Sequence, residues 1–575
     1  MENVKISING KIVEAKQDWT ILDAAKSIGI NIPTLCYYPF ISRRGACRLC
    51  VVEVENSANL VASCVFPIKE GLIIQTHTPR VLKARKTLLE LLVANHNMEC
   101  LVCRRNGDCK LQTLCEEYGI SENVYKGKKR PDYKDCSSEA YVKDYGKCIL
   151  CGRCTKVCEE LQDVHAIEFV DRGFYSEILP AFRNKIADSV CIDCGQCVIS
   201  CPVASLIEKD STEEVFNALA DVNKCVIVQT APSIRVTIGE AMGLKAGTVS
   251  TGKMVSGLRQ LGFKKVFDTA FGADLTVMEE ASELVNRINN NGKLPMMTSC
   301  SPGWTKFIET FYPEFIPNLS TCKSPHQMLG AIIKSYFATQ NSIKPEDIFV
   351  VSVMPCTAKK FEITRNTNKV DGLQDVDVVI TTRELAKILK TGGVDFFQIE
   401  ESDFDNPLGA ASSAGEIFGA SGGVLEASLR TAYKLMTGIE LEEINFKSVR
   451  GLSRIKEASL DVNGKIINVA AVSSLSEARK VIVKIKNGEV NYDFMEVMAC
   501  PGGCIAGGGQ PYTEDYEVIK ARMESLYAID FGKKIRKAHE NPFITKLYKD
   551  FLGEPLSHIS HKYLHTKFKP RPNVY

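Results

Sequence analysis

Two runs of cysteine in this sequence have a spacing suited to binding iron. The stretches "CILCGRCTKVC" (Cys148 to Cys158) and "CIDCGQCVISC" (Cys191 to Cys201) each read Cys-x2-Cys-x2-Cys-x3-Cys, and Pro202 follows the second. In such pairs of runs, each [4Fe–4S] cluster takes its fourth cysteine from the other run. We therefore expect two clusters with the following ligands: Cys148, Cys151, Cys154 and Cys201 for one, and Cys191, Cys194, Cys197 and Cys158 for the other.

Two further groups of metal-binding residues precede these runs. The first suits a [2Fe–2S] cluster and consists of Cys36, Cys47, Cys50 and Cys64. The second places a histidine four residues before a Cys-x2-Cys-x5-Cys run and consists of His96, Cys100, Cys103 and Cys109. Zinc is the alternative at both places, since it accepts cysteine and histidine ligands. The neighbouring iron–sulfur runs favour a [4Fe–4S] cluster at the second.

The overall composition is that of a globular protein, with 575 residues, 45% hydrophobic, 24% charged and a formal net charge of +2. This charge balance predicts neither a nucleic-acid partner nor a polybasic membrane contact. No run of about 18 apolar residues occurs, so no transmembrane helix is expected. The start, "MENVKISINGKIVEA", lacks the features of a signal peptide. Because disulfides are rare in the cytosol, 23 regularly spaced cysteines indicate metal ligands in a cytoplasmic protein.

The elements that position these residues are readable in outline. Alternating apolar residues around Asn9-Gly10 predict an N-terminal β-hairpin with a type I′ turn. The polar stretch 125–135 reads as a linker. After about residue 210, the apolar runs "CVIVQTAPS", "DIFVVSVMPC" and "DVDVVITT" alternate with helical stretches, which predicts α/β lobes with parallel sheets. Ligands gather at the carboxyl ends of such strands, where Pro232-Ser233 and Pro355-Cys356 stand.

Three motifs in this later region contain cysteine outside the regular runs. They are "TSCSPGW" with Cys300, "MPCTAKKFE" with Cys356, and "MACPGGCIAGGGQP" with Cys500 and Cys504. The glycines of the third motif allow backbone to approach a bulky inorganic ligand closely. We therefore expect a further metal centre in this region.

Together the three motifs closely resemble those of [FeFe]-hydrogenases, and the whole chain resembles the large monomeric clostridial type. The resemblance implies an α+β multidomain fold with five parts. These are a β-grasp, ferredoxin-like [2Fe–2S] domain (1–80), a one-histidine/three-cysteine [4Fe–4S] domain (81–125), a bacterial 2[4Fe–4S] ferredoxin-like domain (126–209), a two-lobed α/β catalytic domain (210–524) and a small-subunit-like C-terminal segment (525–575).

The resemblance also implies an activity, the reaction 2H+ + 2e− ⇌ H2. It would occur at the H-cluster, a [4Fe–4S] cubane joined through one cysteine to a two-iron unit with CO, cyanide and azadithiolate. Cys356, Cys500 and Cys504 match cubane ligands, with Cys504 bridging, and Lys359 matches the donor to an iron-bound cyanide. The residues that match the pocket of the two-iron unit are Pro232, Ser233, Met354, Phe418 and Met498. Ferredoxin or flavodoxin would exchange electrons through the four accessory clusters, and maturation proteins would build the two-iron unit.

The family's proton route maps onto Cys300, Glu280, Ser320, Glu283 and Arg287. Glu280, Glu283 and Arg287 share one face of the helical stretch "MEEASELVNR". Without the resemblance, a solvated face with salt bridges would also explain them. Buried carboxyls on such a route would have raised pKa values, which suit proton transfer near neutral pH.

The pair Cys300-Ser301 departs from the family, because many relatives have two cysteines there. When the motif is compared with that of the relatives position by position, without gaps, Cys300 has the position of the proton-relay cysteine and Ser301 has the position of the fourth cubane ligand. Alternatively, a local shift lets Cys300 bind iron and leaves Ser301 as the relay. Iron prefers a thiolate to an alkoxide, so both readings remain open. A second departure is His326, where relatives often have glutamine.

Two other functions compete with a ferredoxin-linked hydrogenase. The first is a hydrogenase subunit of an NADH-linked, bifurcating complex; no Gly-x-Gly-x-x-Gly follows a strand here, so nicotinamide chemistry would lie on another chain. The second is a non-catalytic iron–sulfur scaffold or hydrogen sensor. A scaffold is expected to lack the pocket around Lys359 and Met498.

Overall fold

A computed structural model describes residues 3–572. Its strands are β1 Asn3–Ile8, β2 Lys11–Lys16, β3 Val51–Val54, β4 Val61–Ala62, β5 Ile73–Gln75, β6 Lys134–Asp135, β7 Tyr141–Asp144, β8 Glu168–Val170, β9 Glu177–Leu179, β10 Leu206–Glu208, β11 Cys225–Thr230, β12 Lys265–Asp268, β13 Met296–Met297, β14 Ile348–Met354, β15 Lys369–Val370, β16 Leu373–Gln374, β17 Val378–Thr381, β18 Ile455–Val462, β19 Lys465–Ser473 and β20 Phe494–Met498.

The helices of the same residues vary from single turns to more than five turns. They are α1 Ile21–Ser27, α2 Pro79–Ala94, α3 Lys110–Glu117, α4 Arg153–Lys156, α5 Gln196–Ser200, α6 Thr212–Ala220, α7 Ile238–Ala241, α8 Thr251–Gln260, α9 Thr269–Asn289, α10 Pro302–Phe311, α11 Pro325–Ile332, α12 Ala338–Gln340, α13 Ala358–Glu362, α14 Thr382–Thr391, α15 Ser413–Glu416, α16 Gly423–Thr437, α17 Leu475–Lys486, α18 Tyr516–Gly532, α19 Pro542–Leu547 and α20 His558–Leu564. Over residues 3–572, none has the length and apolar character needed to cross a membrane.

The described chain divides into two compact units. The first comprises the residues up to 160 with 165–189 and 200–207, and the second comprises 161–164, 190–199 and the residues from 208 onward. The predicted domain 126–209 is therefore split, and the stretch with Cys191, Cys194 and Cys197 belongs to the second unit. The split has a local cause, because the Asp193 carboxylate of this stretch accepts from Lys306, and its carbonyl accepts from Thr357.

The first unit begins with a five-stranded sheet of order β2-β1-β5-β3-β4. The predicted hairpin is confirmed: β1 and β2 are antiparallel, and Asn9 and Gly10 have φ values of 51° and 81°, as a type I′ turn requires. Further along, β10, β7 and β6 form a three-stranded sheet, and β8 pairs with β9. The predicted linker has no regular structure up to residue 133, and its last two residues form β6.

The second unit contains two four-stranded sheets, one of order β12-β11-β14-β17 and one of order β13-β20-β19-β18. All pairs of the first sheet are parallel, which confirms the prediction made from the apolar runs. In the second sheet, β13, β20 and β19 are parallel, and β18 closes the edge as an antiparallel partner of β19. Parallel strands buried on both faces explain why these runs are continuously apolar.

The C-terminal segment is part of the core of the second unit. Ile544, Leu547, Leu552 and Leu564 are buried in the same apolar cluster as the β11–β14 strands. The expected domain boundary at 524/525 falls inside α18, so this helix continues the catalytic region without interruption. The sequence offers no glycine or proline near residue 525 that would end a helix there.

Candidate active site

Four loops that follow parallel strands meet at one buried cavity of the second unit. The strands β11 and β14 lead to Pro232 and Cys356, and β13 and β20 lead to Cys300 and Cys500. The cavity has a volume of about 90 Å³. Residues that the sequence assigned to the metal centre and its pocket all line it: Pro232, Ser233, Cys300, Ser301, Met354, Cys356, Lys359, Phe418, Met498, Cys500 and Cys504.

Three cysteines of this cavity lie close together, of which Cys500 is buried and Cys356 and Cys504 are partly buried. Burial raises the pKa of the Cys504 thiol to about 12, and the adjacent Cys356 contributes in the same direction. Burial also raises the pKa of Cys500 well above its usual range, and Cys356 and Cys504 add to that shift. A group of thiolates in such an interior requires a positive partner, and soft thiolates select iron–sulfur clusters, zinc or copper(I).

The loop between Cys500 and Cys504 turns sharply because of its glycines. Gly503 has φ +97°, and a Cβ there would lie 2.5 Å from the backbone nitrogen of Ser421 and 3.1 Å from Met498 Sδ. Only glycine adopts this conformation without strain, so the loop returns both thiols to the cavity. A water molecule needs about 10–15 Å³ by the same measure of volume. The space and the thiols therefore fit a multi-atom iron–sulfur group.

One carboxylate holds two basic side chains at the cavity wall. Lys359 Nζ donates to Glu362 at 2.8 Å and to the Cys300 carbonyl at 3.0 Å, while His326 Nε2 lies 2.6 Å from the same carboxylate. Burial alone would raise the pKa of Glu362, but Lys359 and His326 lower it to about 2. Burial lowers the pKa of His326 to about 4, so its ring is neutral at pH 7 and Lys359 carries the local positive charge.

Cys300 and Ser301 both line the cavity but have different neighbours. Burial raises the pKa of Cys300 well above its usual range, and Glu280 adds to the shift while Lys359 opposes it. Ser301 Oγ instead accepts from the backbone nitrogen of Ala499 at 3.4 Å, one residue before Cys500. Cys300 therefore lies toward the predicted proton route, and Ser301 lies toward the thiol loop.

The residues of the predicted proton route lie together, and most are buried. Burial, reinforced by Glu283, raises the pKa of Glu280 to about 8. Ser320 Oγ donates to Glu283 Oε2 at 3.2 Å, and Arg287 donates to Glu283 Oε1 through Nε at 3.1 Å and Nη2 at 2.5 Å. The carboxyls do not form a solvated face, since Glu280 is fully enclosed and Glu283 is buried, but Glu283 does form a salt bridge with the partly buried Arg287.

Several of the N-terminal metal-binding cysteines also lie close together. Cys50 Sγ lies 3.3 Å from Cys64 Sγ, and the Cys47 backbone nitrogen donates to Cys36 Sγ at 3.4 Å. In the second group, burial lowers the pKa of His96 to about 4, which leaves a neutral ring. A fourth thiol, Cys115, is close to Cys100 and Cys109, which together with burial raise its pKa to about 11. No spacing pattern predicts Cys115 at this site, because it lies on α3, six residues beyond Cys109.

The first ferredoxin-like run assembles around a buried lysine. Burial would lower the pKa of Lys143, but Cys148, Cys154 and Cys201 together raise it. Cys201 is likewise an electrostatic neighbour of Cys151. The spacing rule anticipated Cys201 in this group but not Lys143, for which the sequence carries no signal. Cys158, the remaining member of the first run, belongs to the first unit and accepts from the Ala166 backbone nitrogen at 3.3 Å.

The second run lies beside the cavity. Cys194 lines it, and burial together with Cys197 and Cys500 raises the pKa of Cys194 well above its usual range. Gln196 Nε2 donates to Cys500 Sγ at 3.1 Å and to the Ala506 carbonyl at 3.0 Å. Gln196 was not among the predicted site residues, although its place within "CIDCGQC" was a signal that it would contact a metal centre.

These features define a class of protein: an iron–sulfur oxidoreductase with a buried thiol-lined centre. Five family models match successive parts of the chain: a 2Fe-2S iron-sulfur cluster binding domain (1–79), the NADH-ubiquinone oxidoreductase-G iron-sulfur binding region (85–123), a 4Fe-4S dicluster domain (147–211), the iron only hydrogenase large subunit, C-terminal domain (224–508) and the iron hydrogenase small subunit (516–571).

Individual proteins agree with these models. The NADP-reducing hydrogenase subunit HndD of Solidesulfovibrio fructosivorans is 47% identical, over 100% of both chains. Iron hydrogenase 1 of Clostridium pasteurianum is 42% identical, over 98% of this chain and 99% of its own length. The structure of a variant of apo [FeFe]-hydrogenase HydA1 from Chlamydomonas reinhardtii matches with a TM-score of 0.57 and 42% identity, covering 62% of this chain and 98% of that one.

The chain belongs to the iron-only, or [FeFe], hydrogenase family. It is an oxidoreductase that acts on H2, with 2Fe–2S and 4Fe–4S ferredoxin-like domains joined to an α/β catalytic region. Relatives of lower identity are named as assembly proteins and not as hydrogenases. Cytosolic iron-sulfur assembly component 3 of Rattus norvegicus, for example, is 32% identical over 70% of this chain. The cavity with Lys359 and Met498 is the feature by which we distinguish a hydrogenase from a scaffold.

Proposed function

We propose that the chain holds an H-cluster in this cavity and exchanges electrons with ferredoxin or flavodoxin. The observation that supports it best is the convergence of Cys356, Cys500, Cys504 and Lys359 on one enclosed space. When bound, the H-cluster supplies the metal centre at which protons and electrons combine to give H2. Cys356 and Cys500 would hold the cubane, and Cys504 would hold both the cubane and the two-iron unit.

The rest of the cavity positions the two-iron unit without bonding to it. Lys359 would donate to an anionic ligand of the unit, and its own position is fixed by Glu362. Met354, Phe418 and Met498 add apolar side chains to the lining of the cavity, and Pro232 and Ser233 also line it. Such fixed donors in a dry site stabilise charge without reorganising during the reaction.

For the fourth cubane position we favour the gapless reading, in which Ser301 takes this place and Cys300 relays protons. Two observations support it: after burial, Glu280 is the main influence that raises the pKa of Cys300, and Ser301 Oγ accepts from the Ala499 backbone nitrogen. The route then passes protons between Cys300, Glu280, Ser320 and Glu283. Arg287 keeps the Glu283 carboxylate in place by two hydrogen bonds.

Electrons reach the cavity through four accessory clusters. We assign a [2Fe–2S] cluster to the cysteines 36, 47, 50 and 64, a [4Fe–4S] cluster to His96 with the cysteines 100, 103 and 109, and two [4Fe–4S] clusters to the ferredoxin-like runs with Cys158 and Cys201 exchanged. Cys194 and Gln196 of the last run lie against Cys500, which supports a final electron transfer beside the cubane. We expect the enzyme to be cytoplasmic and to depend on maturation proteins for its two-iron unit.

The test uses the full chain matured with the two-iron unit. We expect infrared bands of iron-bound CO and cyanide, together with H2 evolution driven by reduced ferredoxin. A Cys504→Ala variant should lose the bands, whereas Cys225→Ala, on the strand β11 and outside the cavity lining, should keep them. Matured protein that contains zinc only, or that lacks diatomic ligands, would contradict the proposal and favour a scaffold.

A second candidate is a hydrogenase subunit of a nicotinamide-linked complex. It is favoured by the full-length similarity to a subunit of an NADP-reducing hydrogenase, and by the match of residues 85–123 to an NADH-ubiquinone oxidoreductase-G region. Purification from the native host distinguishes the two. A co-purifying flavin-containing chain that confers nicotinamide-dependent H2 turnover would support the complex, and an isolated chain fully active with ferredoxin would support the first proposal.

A further inference from the structure

Arg287 ends the predicted proton route, yet a guanidinium does not release protons near neutral pH. Its side chain is also fixed, because besides Glu283 it donates to the carbonyls of Lys293, Pro317 and Asn318 at 3.2–3.3 Å and of Leu319 at 2.7 Å. Arg287 therefore orients Glu283 but cannot exchange protons with it. Another group must connect Glu283 with solvent.

Thr321 and His565 are the groups in position to do so. Thr321 Oγ1 lies 3.2 Å from Glu283 Oε2 and 2.8 Å from His565 Nδ1. The backbone fixes this arrangement, since Lys323 donates to the Leu564 carbonyl and Thr566 donates to the Thr321 carbonyl, both at 2.8 Å. His565 is 8% exposed, and the ring of the exposed His561 lies 4.1 Å from its ring, between centroids.

We propose that Thr321 and His565 form the outer end of the proton route, so that the C-terminal segment supplies a residue needed for proton exchange. This inference rests on the proposed function of Glu283. Inward transfer moves one proton: protonated His565 gives its Nδ1 proton to Thr321 Oγ1, and the Thr321 hydroxyl proton passes to Glu283 Oε2. The result is a neutral imidazole, an intact hydroxyl and a protonated carboxyl. The reverse sequence operates during H2 oxidation.

The other charged groups around His565 are compatible with this role. From α9, Glu279 Oε2 lies 3.0 Å from His565 Nε2, and Glu283 is on the Thr321 side. The neighbouring backbone strand contributes Cys322, a buried thiol, and Lys323, which is paired with Asp375 at 2.7 Å. Glu279 is an ionised partner, since its burial is outweighed by donors from His565, Ser560 and Tyr548, which lower its pKa. An ionised Glu279 stabilises the protonated ring on the side away from Thr321.

A metal-binding site is the alternative function of these residues, because ligand atoms of Glu283, Cys322 and His565 lie within 4.8 Å of one another. Both ring nitrogens of His565 already have partners, as do both carboxylate oxygens of Glu283. Binding an ion would break several of these hydrogen bonds. The geometry therefore favours proton transfer.

The experiment compares matured full-length variants. His565→Phe and Thr321→Val should each lower H2 evolution at least about a hundredfold, the lower end of the range for losing a general acid–base group. Thr321→Ser, which keeps the hydroxyl, should retain activity, and added imidazole should restore His565→Phe. The matched control is His558→Phe, an exposed residue at the start of α20, the helix that ends just before His565.

Infrared bands of CO and cyanide check that each variant is loaded, and the pH profile of H2 evolution is recorded for each. His565→Phe should change the profile, while the bands stay as in the wild type. Wild-type activity and pH profile in both His565→Phe and Thr321→Val would overturn this inference while leaving the hydrogenase proposal intact. Absence of bands and activity in the wild type would instead overturn the proposed function. If His565→Phe does not fold, the comparison of H2 evolution between Thr321→Val and Thr321→Ser tests the inference by itself.

Discussion

The side-chain amide of Gln196 donates a hydrogen bond to the sulfur of Cys500 at 3.1 Å. Hydrogen bonds to cluster sulfurs stabilise the more negative, reduced state and so raise the reduction potential. Replacing Gln196 with leucine should therefore make the cubane potential more negative by about 40 mV, the equivalent of about 1 kcal/mol for one electron. A redox titration followed by electron paramagnetic resonance measures this shift.

The control is Gln162→Leu. Gln162 Nε2 donates to the Ala499 carbonyl at 2.9 Å and not to a sulfur. An equal shift in both variants would mean that local packing, rather than the bond to Cys500, sets the potential.

Cys300→Ala tests the two readings of the Cys300-Ser301 pair. Because Cys300 is placed toward Glu280, we expect the variant to keep its cubane iron and to lose at least about a hundredfold in turnover. Iron analysis and H2 evolution measure the two effects separately. The matched variant Ser301→Ala should change the spectrum of the cubane more than the proton-dependent rate. Loss of cubane iron in Cys300→Ala would show that the cysteine is the ligand.

Glu280→Gln should abolish proton transfer while conserving the size of the side chain. With a pKa of about 8, Glu280 is protonated at pH 7 and can both give and receive a proton. Glutamine cannot, so H2 evolution should fall about 10²–10⁴-fold. Glu400→Gln, on an exposed part of the chain, serves as the control. A Glu280→Gln variant with normal turnover would require a different route.

The same substitution should affect stability in a pH-dependent way. Between the ordinary glutamate pKa and about 8, the folded state holds one more proton than the unfolded state, so stability falls as the pH rises through this window. Glu280→Gln removes this loss and should raise the thermal midpoint at pH 8 relative to pH 5, compared with wild type. An unchanged difference between the two pH values would contradict the raised pKa.

Lys359→Met should destabilise the metal-free chain, because it leaves the buried Glu362 with His326 alone. Breaking a buried pair in this way costs about 3–5 kcal/mol. The double variant Lys359→Met/Glu362→Gln should recover part of the thermal midpoint, since no uncompensated carboxylate remains. The stabilisation depends on a Glu362 pKa of about 2, so it should be complete above the ordinary glutamate pKa and weaken as the pH falls toward 2. If the shift of the thermal midpoint in the double variant equalled the sum of the shifts in Lys359→Met and Glu362→Gln, the two side chains would not be directly coupled.

Features with a local sequence signal could be predicted. The Asn9-Gly10 turn, the parallel strands β11, β14 and β17, and the meeting of motif residues at their carboxyl ends follow from turn chemistry and apolar runs. The grouping of Cys201 with the first run follows from a spacing rule. In each case the determining residues are adjacent or occur in a fixed pattern.

Features that depend on distant packing could not be predicted. Thr321 and His565 are 244 residues apart and meet only because the C-terminal segment packs against α9 and α11. Lys143 has no spacing relation to the cysteines that surround it. The position of Cys115 beside the second group likewise depends on how α3 folds back, which no motif records.

The continuity of α18 has a consequence for any attempt to divide this chain into two polypeptides. Arg522, in the middle of the helix, is fully buried and donates to the Ile505 carbonyl at 2.8 Å and to Glu240 at 2.7 Å. A cut at residue 525 would sever the helix next to this anchor. A cut in the loop before Tyr516 would leave the helix whole. The shorter fragment would then dock onto the longer one through the hydrogen bonds of Arg522 to Ile505 and Glu240.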